Sequence, residues 1–166
     1  MPEKETLRRA QEDAREGKSP STQAGEFVRQ EIEHVREGKH GARSAKQAIA
    51  IGLSKARRAG VKLPPPKNGS ASPDIRKRAE RDLQRGRRGR RGRKPLSRKR
   101  SRAASRALKR EGTGSASRRA LASQARSSAR RRGPAARKRS AQRAVRTRRK
   151  EARGTAAKKA ARIRKR

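Results

Sequence analysis

The chain has 166 residues, of which 54 are Lys or Arg and 14 are Asp or Glu, for a formal net charge of +40. Only 28% of residues are hydrophobic, Phe27 is the one aromatic residue, and Cys, Trp and Tyr are absent. A composition this charged cannot bury enough apolar surface to offset the chain entropy of a domain spanning the full length. The longest apolar run, Ala48 to Leu53, is far short of the ~20 residues of a membrane span. Without cysteine there is neither a disulfide nor a thiolate metal site, and the opening Met-Pro-Glu-Lys-Glu lacks the apolar stretch of a secretory signal. A membrane protein, a disulfide scaffold and a large enzyme are excluded on these grounds.

Helical signals begin at once. Residues 3–16 place Leu7, Ala10 and Ala14 on one face and end at Gly17. Ser19-Pro20 reads as an N-cap followed by proline at the first helical position. The helix it opens carries Ala24, Val28, Ile32 and Val35 on one stripe, with Phe27 beside it, and stops at Gly38. A third helix, about 44–59, spaces Ala45, Ile49, Leu53 and Ala56 by four, four and three before Gly60. The predicted core of this module is Leu7, Phe27, Val28, Ile32, Val35, Ile49 and Leu53. Three prolines at 64–66 and Asn68-Gly69-Ser70 then predict a linker over 64–71.

Charge divides the chain at the same place. Residues 1–63 hold 14 basic and 9 acidic residues, a net of +5, and residues 64–166 hold 40 and 5, a net of +35. Ser72-Pro73-Asp74 is another cap-plus-proline start, predicting a helix to Arg85 with Asp74 at its positive end. Glycine stops recur at Gly112, Gly133 and Gly154, each 21 residues apart. Alanine and arginine favour helix, whereas like charges oppose it until phosphate neutralises them, so the tail is predicted to be disordered or to fold on binding.

The stretch Arg85-Gly86-Arg87-Arg88-Gly89-Arg90-Arg91-Gly92-Arg93-Lys94-Pro95 contains Arg-Gly-Arg three times at period three. Glycine lets extended backbone sit deep in a narrow groove while flanking arginines enter its negative potential. The stretch resembles the AT-hook, a minor-groove motif, most closely over 91–95, with Lys94 as a departure before Pro95. A flexible basic linker or an RNA-binding Arg-Gly segment has the same composition. The candidate DNA-binding residues are Arg85, Arg87, Arg88, Arg90, Arg91, Arg93, Lys94, Arg98, Lys99, Arg100, Arg130, Arg131, Arg132, Arg137, Lys138, Arg139, Arg148, Arg149 and Lys150. In the first segment, a helix pair over 21–37 and 44–59 would present Lys46, Lys55, Arg57 and Arg58 to DNA, dock another protein, or serve as a plain platform.

No catalytic arrangement is legible. Gly17-Lys18-Ser19 imitates the end of a phosphate loop, but Glu12 stands where that loop needs glycine. His34 and His40 are the only histidines, joined by no cysteine and by no clustered carboxylate in a ligand pattern. The sequence therefore predicts no enzyme, no cofactor and no metal.

The segment Gly25-Glu26-Phe27-Val28 through Arg36-Glu37-Gly38-Lys39-His40-Gly41 to Gln47-Ala48-Ile49-Ala50-Ile51-Gly52-Leu53-Ser54 resembles a box found in a family of small, basic, functionally uncharacterised bacterial proteins. Residues 100–133 resemble the C-terminal halves of the same family, and the tail from Ser97 is similar in composition to histone-like tails. The resemblance implies a bacterial cytoplasm and the nucleoid as location, and carries no site residues with it. The expected fold is mainly α: a helical hairpin or three-helix module (1–63), a linker (64–71), a basic helix with the Arg-Gly-Arg segment (72–96), and an extended basic tail (97–166) without a globular core of its own. The expected function is sequence-independent binding of duplex DNA, with RNA or the ribosome and a protein-interaction adaptor as alternatives, no membrane contact, and self-association through 1–63.

Overall fold

A computed structural model describes residues 2–89 and 97–163. The described chain is mainly helical: α1 (Lys4–Arg15), α2 (Pro20–Arg36), α3 (Ala45–Arg58), α4 (Pro73–Arg87), α5 (Arg98–Arg110), a 3-10 turn at Gly114–Ala116, and α6 (Arg118–Ile163). The punctuation signals work as local chemistry requires. Ser19, Ser44 and Ser72 each accept a backbone N–H three residues on with the side-chain oxygen, at 3.4, 3.3 and 3.4 Å, satisfying one orphan donor per helix start. Gly17, Gly38 and Gly60 adopt positive φ just beyond the ends of α1, α2 and α3.

The chain divides into two compact units, residues 1–121 and residues 122–166. In the first, α2 packs between α1 and α3, and α4 packs on the far side of α3. One core cluster joins Ala10, Ala24, Phe27, Ala56 and Val61, with Leu7, Leu53 and Leu63 against it. A second joins Val35, Ala42, Ala48 and Ala116, with Ile32 against it. Of the seven predicted core residues, Phe27 and Val35 are buried, and Leu7, Val28, Ile32, Ile49 and Leu53 are half-buried.

The buried stripes are rotated from those read off the largest side chains. On α2 the buried line runs Ala24, Phe27, Glu31, Val35, and on α3 it runs Ala45, Ala48, Gly52, Ala56. Small residues on α3 let the two backbones approach closely. A Cβ placed on Gly52 would stand 2.7 Å from Val28 Cα and 3.0 Å from the Phe27 carbonyl oxygen, and those backbone atoms cannot turn aside. Gly52→Ala is therefore expected to destabilise the module by about 1–3 kcal/mol through overpacking. Urea unfolding followed by circular dichroism measures it, and an unchanged midpoint would mean the helices stand farther apart than described.

Residues after 63 are more deeply involved than the composition break suggests. Buried Arg57 donates from Nε to the Leu63 carbonyl and from Nη2 to the Pro64 carbonyl, both at 3.2 Å, tying the start of the proline segment to the end of α3. Ser54 donates to Asp82 Oδ2 at 2.5 Å, and Asp82 also pairs with Arg58 at 3.7 Å, anchoring α4. From the last turn of α5 onward the chain returns to the module. Gly41 N–H donates to the Leu108 carbonyl at 2.9 Å, Ala42 N–H to the Gly112 carbonyl at 3.2 Å, and Arg36 Nε to the Ala116 carbonyl at 3.0 Å. The basic half thus supplies Ala116, fully buried, to the second core cluster.

The tail corrects the expectation of a disordered or coreless extension. It is a long helix, α6, interrupted only at Gly133, whose φ of 74° and ψ of 169° break the path just before Pro134. Gly133 acts as the predicted stop, but Gly154 lies within helix. A lone glycine costs about 1 kcal/mol relative to alanine, which the surrounding Ala, Arg, Lys and Gln offset through their own helix propensity. Like-charge repulsion between exposed side chains is weakened by water and salt, so it does not overcome that preference.

Candidate nucleic-acid interface

The acidic residues of the chain are concentrated in the first unit, and most of them pair with cations there. Arg9 pairs with Glu5 at 2.6 Å, Lys18 with Asp13 at 2.8 Å and Glu16 at 2.9 Å, and Lys39 with Glu37 at 2.9 Å. Each of these cations has its pKa raised by the hydrogen bond it gives to its carboxylate. Exposed pairs of this kind contribute little stability, but they spend much of the module's positive charge locally.

The four α3 cations expected to face DNA are mostly spent inward as well. Arg57 is buried, with its pKa lowered by loss of water, Arg58 pairs with Asp82, and Lys55 donates to Glu31. Lys46 is exposed. The hairpin therefore does not present the row of four cations that a recognition helix would need.

The basic half has the opposite character. Arg85, Arg87, Arg88, Arg98, Lys99, Arg100, Arg130, Arg131, Arg132, Arg137, Lys138, Arg139, Arg148 and Arg149 are all exposed. Among the described residues none of these fourteen belongs to an ion pair. Arg90, Arg91, Arg93, Lys94 and the side chain of Lys150 lie outside the described residues. So does the stretch 91–95, the nearest match to the AT-hook. The first Arg-Gly-Arg triplet is not extended backbone: Arg85, Gly86 and Arg87 form the last turn of α4. Gly86 is needed there because a Cβ would collide with the Arg57 carbonyl, so at this position glycine serves helix packing.

In α5 seven of 13 residues are basic and none is acidic, and every one of the seven is exposed. In α6 the 46 residues include 18 basic ones and a single acid, Glu151. At 1.5 Å per residue the stretch after Gly133 is about 45 Å of helix, with 12 basic residues along it. Adjacent turns bring like charges together at i,i+3 and i,i+4, which is unfavourable until an anion intervenes. Phe27, the only Phe, Tyr or Trp in the sequence, is 1% exposed and closed off inside the module.

A second feature of the first unit was not legible as a pattern. Glu31 on α2 is fully buried, the Lys55 ammonium on α3 donates to it, the His40 ring after α2 lies 3.3 Å away, and His34 lies one turn along from it. The spacing Glu31-Ile32-Glu33-His34, a carboxylate and an imidazole three residues apart, was the available signal. It was obscured because Glu31 falls among several acids that mixed-charge helix surfaces ordinarily carry.

Residues 17–67 match a family of unknown function, DUF6496. The matched stretch takes in α2, α3 and the resembling box, including Glu31, His34, His40 and Lys55. No curated protein and no solved structure matches the chain. No helix among the described residues is long and apolar enough to cross a membrane.

Proposed function

We propose that this protein binds duplex DNA without catalysis and with little sequence preference, through the basic helices beyond residue 84, as a histone-like, nucleoid-associated protein would. The observation that carries the reading is the contrast in how charge is used: carboxylates engage cations around α1 to α3, while the described candidate arginines and lysines of α4 to α6 are exposed and outside ion pairs. B-DNA offers one phosphate per about 1.7 Å of axis, so about 45 Å of duplex carries about 26 negative charges, ample for 12 side chains. Helices favour B-form DNA as the partner, because its major groove admits an α-helix whereas that of A-form RNA is too narrow. Burial of Phe27 leaves the basic helices without a Phe, Tyr or Trp platform for an unpaired base, which disfavours single strands.

Titration of the full-length protein with matched lengths of duplex DNA and structured RNA over a salt series tests this. Neutralising ten or more phosphates should give a slope of log affinity against log salt of about −9 or steeper. Duplexes of unrelated sequence should bind within a few-fold of one another. Tighter binding of RNA at matched slopes, or a slope shallower than about −3, would sink the assignment.

A further inference from the structure

Glu31 and His34 stand on one flank of α2, three residues apart, and His40 comes back toward them from the turn that follows the helix. Glu31 is fully buried, and its two oxygens are treated differently. Oε2 accepts from the Lys55 ammonium, whereas Oε1 has no hydrogen-bond partner. His40 Nδ1 lies 3.1 Å from the Gly41 carbonyl oxygen, which can only accept, so Nδ1 carries the hydrogen. With Nδ1 so engaged, Nε2 is the ring atom turned toward Glu31 Oε1, 3.3 Å away. A buried carboxylate oxygen without a donor is unfavourable unless positive charge stands beside it.

The spacing suits a bound cation as the source of that charge. Two donors each about 2.0–2.1 Å from a tetrahedral ion lie about 3.3 Å apart, which is the separation of His40 Nε2 and Glu31 Oε1. Donor atoms of Glu31, His34 and His40 all lie within 4.8 Å of one another. We propose that Glu31, His34 and His40 bind a divalent transition-metal ion of the zinc class.

Two imidazoles and a carboxylate are the donors such an ion takes, with a fourth position left for water. The outer contacts fit the role. His34 Nε2–H donates to Glu3 Oε1 at 2.9 Å, an arrangement that orients the ring and holds the Glu3 carboxyl below its usual pKa. Lys55 fixes the orientation of the carboxylate from its other oxygen, and its charge limits the affinity. Side-chain exposures of 13% for His34 and 18% for His40 leave a path from solvent. The ion would join the end of α2 to the turn at 39–41, which is itself bonded to Leu108 through Gly41.

The experiment uses tag-free, nucleic-acid-free, full-length protein and Zn²⁺. The chain has two histidines, so NMR resolves both imidazoles in the unaltered protein. One equivalent of Zn²⁺ is expected to shift both signals, and His40→Gln to weaken binding by more than the about 10- to 100-fold that loss of an outer-shell partner costs. Circular dichroism of the variant checks its fold. If excess Zn²⁺ leaves both imidazole signals of the unaltered protein in place, the proposal is overturned, and a protonated His40 in that sample would identify a simple ion pair. Equal Zn²⁺ affinity in a folded His40→Gln variant would overturn it too.

Discussion

Ending the chain at Leu121 is expected to lower duplex DNA affinity by about 10³-fold or more near 0.2 M salt. The cut follows the boundary between the two compact units, so both core clusters, which end at Ala116, are retained. It removes 19 basic residues and one acid, Glu151. If only about six of those cations meet phosphates, the salt slope becomes shallower by about 5, and the lost counterion release alone accounts for the fall in affinity. Circular dichroism of 1–121 should still show the helices of the module. Binding within about tenfold of the full chain at every salt concentration would exclude residues 122–166 as the principal phosphate-binding element and shift that role to α4 and α5.

Lys55→Met should destabilise the module by about 3–5 kcal/mol, the characteristic loss when one partner of a buried ion pair is removed. Glu31 has no exposed surface, and the Lys55 ammonium is the donor that satisfies its Oε2. Without that donor the carboxylate keeps the cost of leaving water and loses most of the interaction that offsets it. Combining Lys55→Met with Glu31→Gln should recover a large part of the loss, because the unpaired charge is removed as well. Urea unfolding of the two single variants and the double variant gives the coupling. A loss below about 1 kcal/mol for Lys55→Met would mean that Glu31 reaches water in solution.

The helices were legible from punctuation. Serine caps, prolines at first helical positions and glycines just past helix ends are local chemistry, and Ser19-Pro20, Ser72-Pro73, Gly17, Gly38 and Gly60 occupy the positions that chemistry dictates. The packed faces were less legible, because ranking residues by size favours Ile49 and Leu53 over Ala48 and Gly52. The smaller residues are the buried ones, since the distance between α2 and α3 is set by how closely their backbones can approach. Glu31 was hidden for a related reason: a carboxylate on a mixed-charge helix reads as surface until a lysine 24 residues later folds over it. The charge of the basic half was evident from composition, but α6 shows that propensity, summed over a long run of Ala and Arg, outweighs repulsion that water screens.

The return of residues 108–116 to the module also fixes an order of events during synthesis. A chain made from its N-terminus can form α1, α2 and α3 early, but the patch of Val35, Ala42 and Ala48 stays open until Ala116 arrives, more than 60 residues later. Closing a loop of that length gives an otherwise local helical fold a long-range step, and such steps slow folding. By then α4, α5 and the Arg-Gly-Arg segment have been made, so the last part of the core is completed alongside cations already able to hold a nucleic acid. A polypeptide stopped before Ala116 would carry much of the charge while leaving an apolar patch uncovered, the combination that makes incomplete chains prone to aggregate.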